Sequence, residues 1–196
     1  MIPAELLDRL QERYAEPQRH YHTWAHIEAL LGHYLRWEDR FHRPVPVLWA
    51  LYWHDAVYDP QAKDNEEQSA LLLEQEAAGH LPAEDIAFAA TIIRATAGHA
   101  VPEGLSEEDA ADLALFLDMD LSILGAPRHV YDRYEAAIRA EYAFVPEDRF
   151  RAGRGAILKD FLLREKLYFT APAAHMWAAP AHENLSHALS ALDRGI

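Results

Sequence analysis

Helical periodicity runs through almost the whole of this 196-residue chain and constrains its fold more than any other feature. Apolar residues recur every three or four positions, whereas no segment alternates apolar and polar residues for long enough to indicate a strand. One such helical face carries Ile27, Leu30, Leu31, Tyr34 and Trp37. With 51% hydrophobic residues and a length suited to one core, the chain is predicted to form an all-α, single-domain helical bundle over residues 1–196.

Prolines and glycines predict where several of these helices begin and end. Pro82 is expected to open a helix that runs through Ile93, because proline is tolerated in the first turn. A leucine-rich helix is predicted to close at Gly125. Later helices are predicted over 130–142, 150–164 and 183–192, with Pro146 and Pro172 in turns between them.

The composition excludes several classes of function. A net charge of -14, from 18 Lys and Arg against 32 Asp and Glu, argues against a nucleic-acid scaffold, which needs clustered positive charge. The N-terminus has no basic region followed by an apolar stretch, and no run approaches the roughly 18 apolar residues of a membrane span. We therefore expect a cytoplasmic protein that has no membrane partner.

The absence of cysteine restricts any metal site to histidine nitrogen and carboxylate oxygen. The most informative candidates are the adjacent His54 and Asp55, at the end of an apolar helical run, and His26, 28 positions upstream (54 minus 26). Burying an imidazole beside a carboxylate is costly unless a cation neutralises them. The set predicts one divalent ion, with Mn, Fe, Co, Mg and Zn as the candidates.

A further ligand is expected from the segment Asp118-Met119-Asp120. Residues two apart on a helix point to nearly opposite sides, so only one of the two aspartates is expected to reach the ion. Asp120 lies on the apolar stripe of its helix, together with Phe116 and Leu124, and Asp118 would then support the site through a hydrogen bond.

Together these residues resemble the HD superfamily of metal-dependent phosphohydrolases, whose pattern is a histidine, a His-Asp pair about 25 to 35 residues later, and a distant aspartate on a helix. The resemblance runs from Arg19 to about Gly125 and is greatest to a predicted-hydrolase branch. It implies an HD-type domain with a metal-site core at about 19–125 and C-terminal helices 127–196 packed on it. It also places Asp120 in the ligand position, and so implies a ligand set of His26, His54, Asp55 and Asp120.

Acidic residues after the His-Asp pair are candidates for acid-base catalysis. Asp59 follows Asp55 by four positions and shares its helix face if the helix persists. An equally good interpretation makes Asp59 a turn residue before a proline. Glu66 is a second catalytic candidate, and Asn65 is a candidate for orienting a ligand imidazole. Tyr58 occupies a place where guanosine-polyphosphate hydrolases of the superfamily carry an acid, so that substrate is not implied.

Substrate contacts are predicted from basic residues around the same segments. Arg19 is predicted to bind phosphate, with Arg154 and Arg164 as weaker candidates. His22 and His99 are also candidates for substrate binding, although structural roles are common for such histidines. The prediction is an enzyme, a metal-dependent hydrolase of phosphoric ester or phosphoanhydride bonds in a small phosphorylated compound such as a nucleotide.

Two other functions fit the same residues. One is a metalloenzyme of non-phosphoryl chemistry, of the di-iron oxygenase type, on the same helical scaffold. The other is a regulatory module that binds a metal or ligand without turnover. The sequence leaves the oligomeric state open, a homo-oligomer included.

Overall fold

The structure, a computed structural model, describes residues 2–194 without the side chain of Asp193. This part of the chain is helical and has no β-strand, only one isolated bridge between Ala78 and Leu81. The all-α prediction is confirmed. The described helices are α1 (Ala4–Tyr14), α2 (Trp24–Trp37), α3 (Pro44–Trp53), α4 (Asn65–Glu76), α5 (Ala83–Thr96), α6 (Glu107–Asp120), α7 (Arg128–Glu141), α8 (Glu147–Leu163) and α9 (Ala171–Arg194), with short 3-10 helices at Glu38–Arg40 and Leu121–Gly125.

Most predicted helix boundaries lie within a few residues of the observed ones, and α9 is the main exception. It begins at Ala171, about three turns before the predicted start, and contains Pro180 in its interior. Pro172 lies in the first turn of α9 instead of in a turn between helices, because the N–H that proline lacks has no helical partner there. The helix before Gly125 ends at Asp120 and continues as a 3-10 helix.

Among residues 2–194, no helix combines the length and the apolar character needed to cross a membrane.

The chain divides into two compact units, residues 1–119 and 120–196, where the sequence predicts one domain. The division falls inside α6, so that Asp120 is the last residue of a helix whose other residues belong to the first unit. In the first unit, α3 packs against α2, α4 and α5. The stacked rings of Trp49 and Trp53, with centroids 4.8 Å apart, bury one side of α3 in this core.

In the second unit, α9 packs against the 3-10 helix Leu121–Gly125 and against α8. Gly125 allows this close approach, since a Cβ there would lie 2.5 Å from the Cβ of Trp177 and 2.8 Å from its backbone. The amide of Asn184 donates hydrogen bonds to the carbonyl oxygens of Leu124 and Ala126, both at 2.9 Å. Side-chain donors on α9 thereby satisfy carbonyls at the end of the 3-10 helix.

Candidate metal centre

The end of α3 places His54 and Asp55 side by side. The last assigned residue of α3 is Trp53, yet His54 keeps a helical backbone (φ -57°, ψ -34°) and its N–H donates to the carbonyl of Ala50 at 2.9 Å. The chain then tightens, because the N–H of Ala56 donates to the carbonyl of Trp53 at 3.0 Å. The pair therefore lies on the final turn of the helix, where the backbone leaves the helical path.

The first turn of α2 brings His26 to the same place. The Nε2 atoms of His26 and His54 lie 3.1 Å apart, and the two residues are 6% and 2% exposed. The carboxylate of Asp55 completes this cluster, with its Oδ2 3.0 Å from His54 Nε2 and 3.7 Å from His26 Nε2. Three potential ligand atoms thus converge on one point, as the spacing of the sequence predicts.

A hydrogen bond from the Nδ1 side of the His54 ring determines the tautomer of His54. His54 Nδ1 lies 2.9 Å from the carbonyl oxygen of Leu51, which can only accept, so Nδ1 carries the proton. In the neutral ring, Nε2 then has the lone pair. That lone pair faces the Asp55 carboxylate, and the arrangement is stable only if a proton or another cation lies between them.

The histidines also affect the charge of Asp55. Burial alone would raise the pKa of the Asp55 carboxyl, but positive charge on His54, His22 and His26, with the hydrogen bond that a doubly protonated His54 ring donates, holds that pKa well below its usual range. Asp55 is therefore a carboxylate at neutral pH. An ionised carboxylate beside two imidazole nitrogens is the donor set that a cation requires.

Asp120, at the end of α6, joins the two histidines. One oxygen of Asp120 and one ring nitrogen each of His26 and His54 all lie within 4.8 Å of one another, a group that could hold a metal ion. Asp118 is fully buried one half-turn earlier and is not part of this group. The donor set of imidazole nitrogen and carboxylate oxygen suits the divalent ions that the sequence predicts.

The structure gives Arg19 a role different from the predicted phosphate contact. Its side chain is fully buried, with Nε donating to Glu16 Oε2 at 3.1 Å. Nη1 donates to the carbonyls of His22 (3.0 Å) and Asp55 (2.8 Å), and Nη2 donates to that of Ala56 (3.2 Å). Arg19 therefore holds the backbone of the His-Asp turn in place and does not face an open surface.

The loop after the pair corrects the predictions for Asp59 and Asn65. Because α3 ends at Trp53, Asp59 does not share a helix face with Asp55. Asp59 is exposed, its Oδ1 accepts the N–H of Gln61 at 2.8 Å, and its backbone N–H and carbonyl bond to the side chain of Asn65. The turn interpretation of Asp59 therefore fits the structure, and the side chain of Asn65 holds this loop through two hydrogen bonds.

The other predicted residues lie at different places. Glu66 is half-buried in the first turn of α4. His22 is half-buried and stacks on the ring of Tyr58, with centroids 4.3 Å apart, and its centroid lies 6.3 Å from that of His26. His99 follows the end of α5 with a left-handed backbone (φ 45°). His22 therefore lies beside the histidine cluster.

Asp112, which no sequence motif indicates, fixes the start of α3. Its buried carboxylate accepts the backbone N–H groups of His42 (2.8 Å) and Arg43 (2.7 Å), the two residues before the helix. The guanidinium of Arg43 in turn donates to Asp109 and Asp85. Asp112 lies on the apolar side of α6. A charged residue at such a position indicates a buried hydrogen-bond partner, and this was the signal in the sequence that pointed to its role.

We found no match to this chain among protein-family models, among curated proteins or among solved structures.

Proposed function

We propose that this protein is a metal-dependent phosphohydrolase that acts on a small phosphorylated compound. The observation that carries the proposal is the convergence of His26 Nε2, His54 Nε2 and Asp55 Oδ2 at separations of 3.0 to 3.7 Å. Such a buried cluster of lone pairs needs a cation. The absence of cysteine and the resemblance of the motif to the HD superfamily favour a hydrolytic centre.

A divalent ion held by His26, His54, Asp55 and Asp120 would supply Lewis-acid activation of a water and of a phosphoryl oxygen. The chain's own residues prepare this site. The carbonyl oxygen of Leu51 accepts a hydrogen bond from His54 Nδ1 and so leaves the lone pair on Nε2, where it can bind the ion. Arg19 donates hydrogen bonds to the carbonyls of Asp55 and Ala56 and so keeps the turn that carries His54 and Asp55 in position.

The test combines elemental analysis with phosphate release. The protein is stripped with a chelator, reloaded separately with Mn, Fe, Co, Mg or Zn, and assayed against phosphomonoesters, nucleotides and cyclic dinucleotides. We expect about one equivalent of metal and release of inorganic phosphate from at least one substrate class. His26→Gln and Asp120→Asn should lose metal and activity together, because each removes a donor atom.

His33→Gln is the matched control, since His33 lies on α2, two turns after His26, and stacks on Trp37. It should keep full metal content and activity. A metal-loaded protein that releases no phosphate from any member of the panel would show that the proposed reaction is wrong. A protein that binds none of the five ions would overturn the metal centre itself.

A further inference from the structure

The loop before α2 brings His22 beside the turn that carries Asp55. One nitrogen of the buried Arg19 guanidinium, Nη1, donates to the carbonyl of His22 at 3.0 Å and to the carbonyl of Asp55 at 2.8 Å. The same donor therefore bonds to both backbone segments. All three residues belong to the first unit, so the contact lies within one compact part of the chain. The backbone of His22 is thereby joined to that of a proposed metal ligand.

The side chain of His22 is held against the same turn by a ring stack. Its imidazole stacks on the ring of Tyr58, with centroids 4.3 Å apart and planes at 30°. Tyr58 lies shortly after Asp55 in the chain, and its carbonyl accepts a hydrogen bond from Gln18 Nε2 at 3.0 Å. The guanidinium carbon of Arg19 lies 5.3 Å from the Tyr58 ring centroid. Because the His22 ring is held in this way, a hydrogen bond from it costs little further ordering.

The imidazole of His22 also lies close to the buried histidines of the metal centre. Its centroid is 6.3 Å from that of His26, and His26 Nε2 is 3.7 Å from Asp55 Oδ2. The side chains of His26 and His54 are 3% and 1% exposed, whereas that of Asp55 is 18% exposed. His22 is half-buried, as Asp55 is. His22 and Asp55 therefore lie together at the less buried side of the cluster.

The charges of these two side chains interact. Burial raises the pKa of the Asp55 carboxyl, and positive charge on His54, His22 and His26, in that order of effect, lowers it. His22 thus affects Asp55 more than His26 does, although a ring nitrogen of His26 is 3.7 Å from the carboxylate. Because charge interactions weaken with distance, the His22 imidazole lies near the carboxylate. An imidazole has at least one N–H donor whether it is neutral or charged.

We propose that His22 is a positioning residue of the metal centre, whose imidazole N–H donates a hydrogen bond to the Asp55 carboxylate and so orients that carboxylate toward the ion. The role assigned to His22 rests on the metal centre of the proposed function and not on its reaction. Carboxylates that bind metals are commonly oriented by hydrogen bonds from neighbouring side chains. Arg19 and Tyr58 keep His22 in place for this contact, through the carbonyl bond and the ring stack.

The test is titration of the chelator-stripped protein with Co²⁺, followed by the visible absorption of the bound ion, and with Zn²⁺, followed by calorimetry. His22→Phe is the main variant, because phenylalanine keeps a ring that can stack on Tyr58 and has no N–H. Its affinity for both ions should fall about 10- to 100-fold, since a ligand carboxylate loses its support. The Co²⁺ absorption spectrum should also change, because the Asp55 carboxylate is free to rotate.

Two conservative variants separate the hydrogen bond from packing. The side-chain amides of His22→Asn and His22→Gln carry N–H donors at about the distances of the two imidazole nitrogens from the backbone. At least one of these variants should bind Co²⁺ more tightly than His22→Phe and recover the wild-type spectrum. The matched control is His33→Phe, since His33 also lies on the α2 side of the unit and stacks on Trp37. It should keep the wild-type affinity and spectrum.

Circular dichroism verifies that each variant folds, and His22→Leu replaces His22→Phe if that variant does not. A folded donor-free variant with wild-type Co²⁺ affinity and spectrum would overturn the assignment. Equal losses in the donor-free, Asn and Gln variants would also overturn it, because the N–H would then be irrelevant. Complete loss of the ion in all of them would make His22 a ligand and not a positioning residue.

These outcomes are separate from those of the proposed reaction. Metal binding that depends on the His22 donor, in a protein that hydrolyses nothing, would support the positioning role and refute the reaction. Hydrolysis by a protein whose metal affinity does not depend on His22 would support the reaction and refute the positioning role.

Discussion

Replacing Arg19 by methionine separates the two roles considered for this residue. Methionine retains an apolar side chain that packs near Tyr14 and Tyr58, whose rings lie 5.0 and 5.3 Å from the guanidinium carbon. It removes every donor to the backbone of the His-Asp turn. We therefore expect Arg19→Met to lower both the free energy of unfolding and the affinity for metal.

The magnitude follows from the bonds that are lost. Three hydrogen bonds join the guanidinium to the carbonyls of His22, Asp55 and Ala56, at 2.8 to 3.2 Å. A hydrogen bond from a charged donor contributes about 1.5–3 kcal/mol to stability. Because the partly buried carbonyls regain some hydration in the variant, we expect a loss of about 1 kcal/mol for each bond. The ion pair with the partly exposed Glu16 adds about 0–1 kcal/mol. The expected loss is about 3–4 kcal/mol, or roughly 10 °C in Tm for a chain of this length.

The assay is urea unfolding followed by tryptophan fluorescence, together with metal and phosphate titrations of the folded variant. Metal affinity should fall about 10- to 100-fold, since the support of a ligand turn is lost. Arg9→Met is the control, because Arg9 is 53% exposed and forms a surface ion pair with Glu76. That change should cost no more than about 1 kcal/mol. A positioning role for Arg19 is refuted if Arg19→Met keeps wild-type stability and metal affinity but loses phosphate binding tenfold.

Two further predictions concern packing and pH. Gly125→Ala should destabilise the protein by about 2–3 kcal/mol in urea unfolding, because its Cβ would collide with the backbone of Trp177. The control Gly153→Ala, in open space on α8, should stabilise the protein by about 0.5–1 kcal/mol. Equal effects of the two substitutions would show that close packing at Gly125 does not matter. Burial, aided by the charge of Glu38, raises the pKa of Tyr34 to about 12. The folded state thus holds this proton more tightly than the unfolded state, and stability should fall as pH rises between about 10 and 12. Tyr34→Phe should show a smaller fall over that range, and an identical pH slope in both proteins would refute the assignment.

The approach of His26 to the His54-Asp55 pair could be predicted because it depends on local rules. Each residue lies near the end of a strongly periodic helix, and the separation along the chain allows the two helix ends to meet. Asp120 was likewise predictable from its place on the apolar stripe of α6, and it is Asp120, not Asp118, that belongs to the group that could hold a metal. Periodicity therefore predicts which residues share a face, and this was sufficient for the histidines and for Asp120.

The end of α3 could not be predicted in the same way, because partners remote in sequence determine it. The segment Ala56-Val57-Tyr58 is apolar and carries no stop signal before Pro60. Arg19 nevertheless bonds to the carbonyls of Asp55 and Ala56, and Ser69 on α4 bonds to both the N–H and the carbonyl of Val57. These contacts satisfy the backbone groups that a longer helix would use, so tertiary bonds override the local preference.

Both ends of α3 are therefore held by ionisable side chains from other parts of the first unit. Asp112 accepts the two N–H groups before the helix, and Arg19 donates to the carbonyls after it. The helix between these anchors is apolar throughout, so its packing alone would tolerate rotation about its axis or a shift along it. Hydrogen bonds at fixed points do not tolerate such shifts. The precision that a metal centre needs at His54 and Asp55 thus comes from polar contacts at the two helix ends, and the apolar core supplies the stability that keeps those contacts buried.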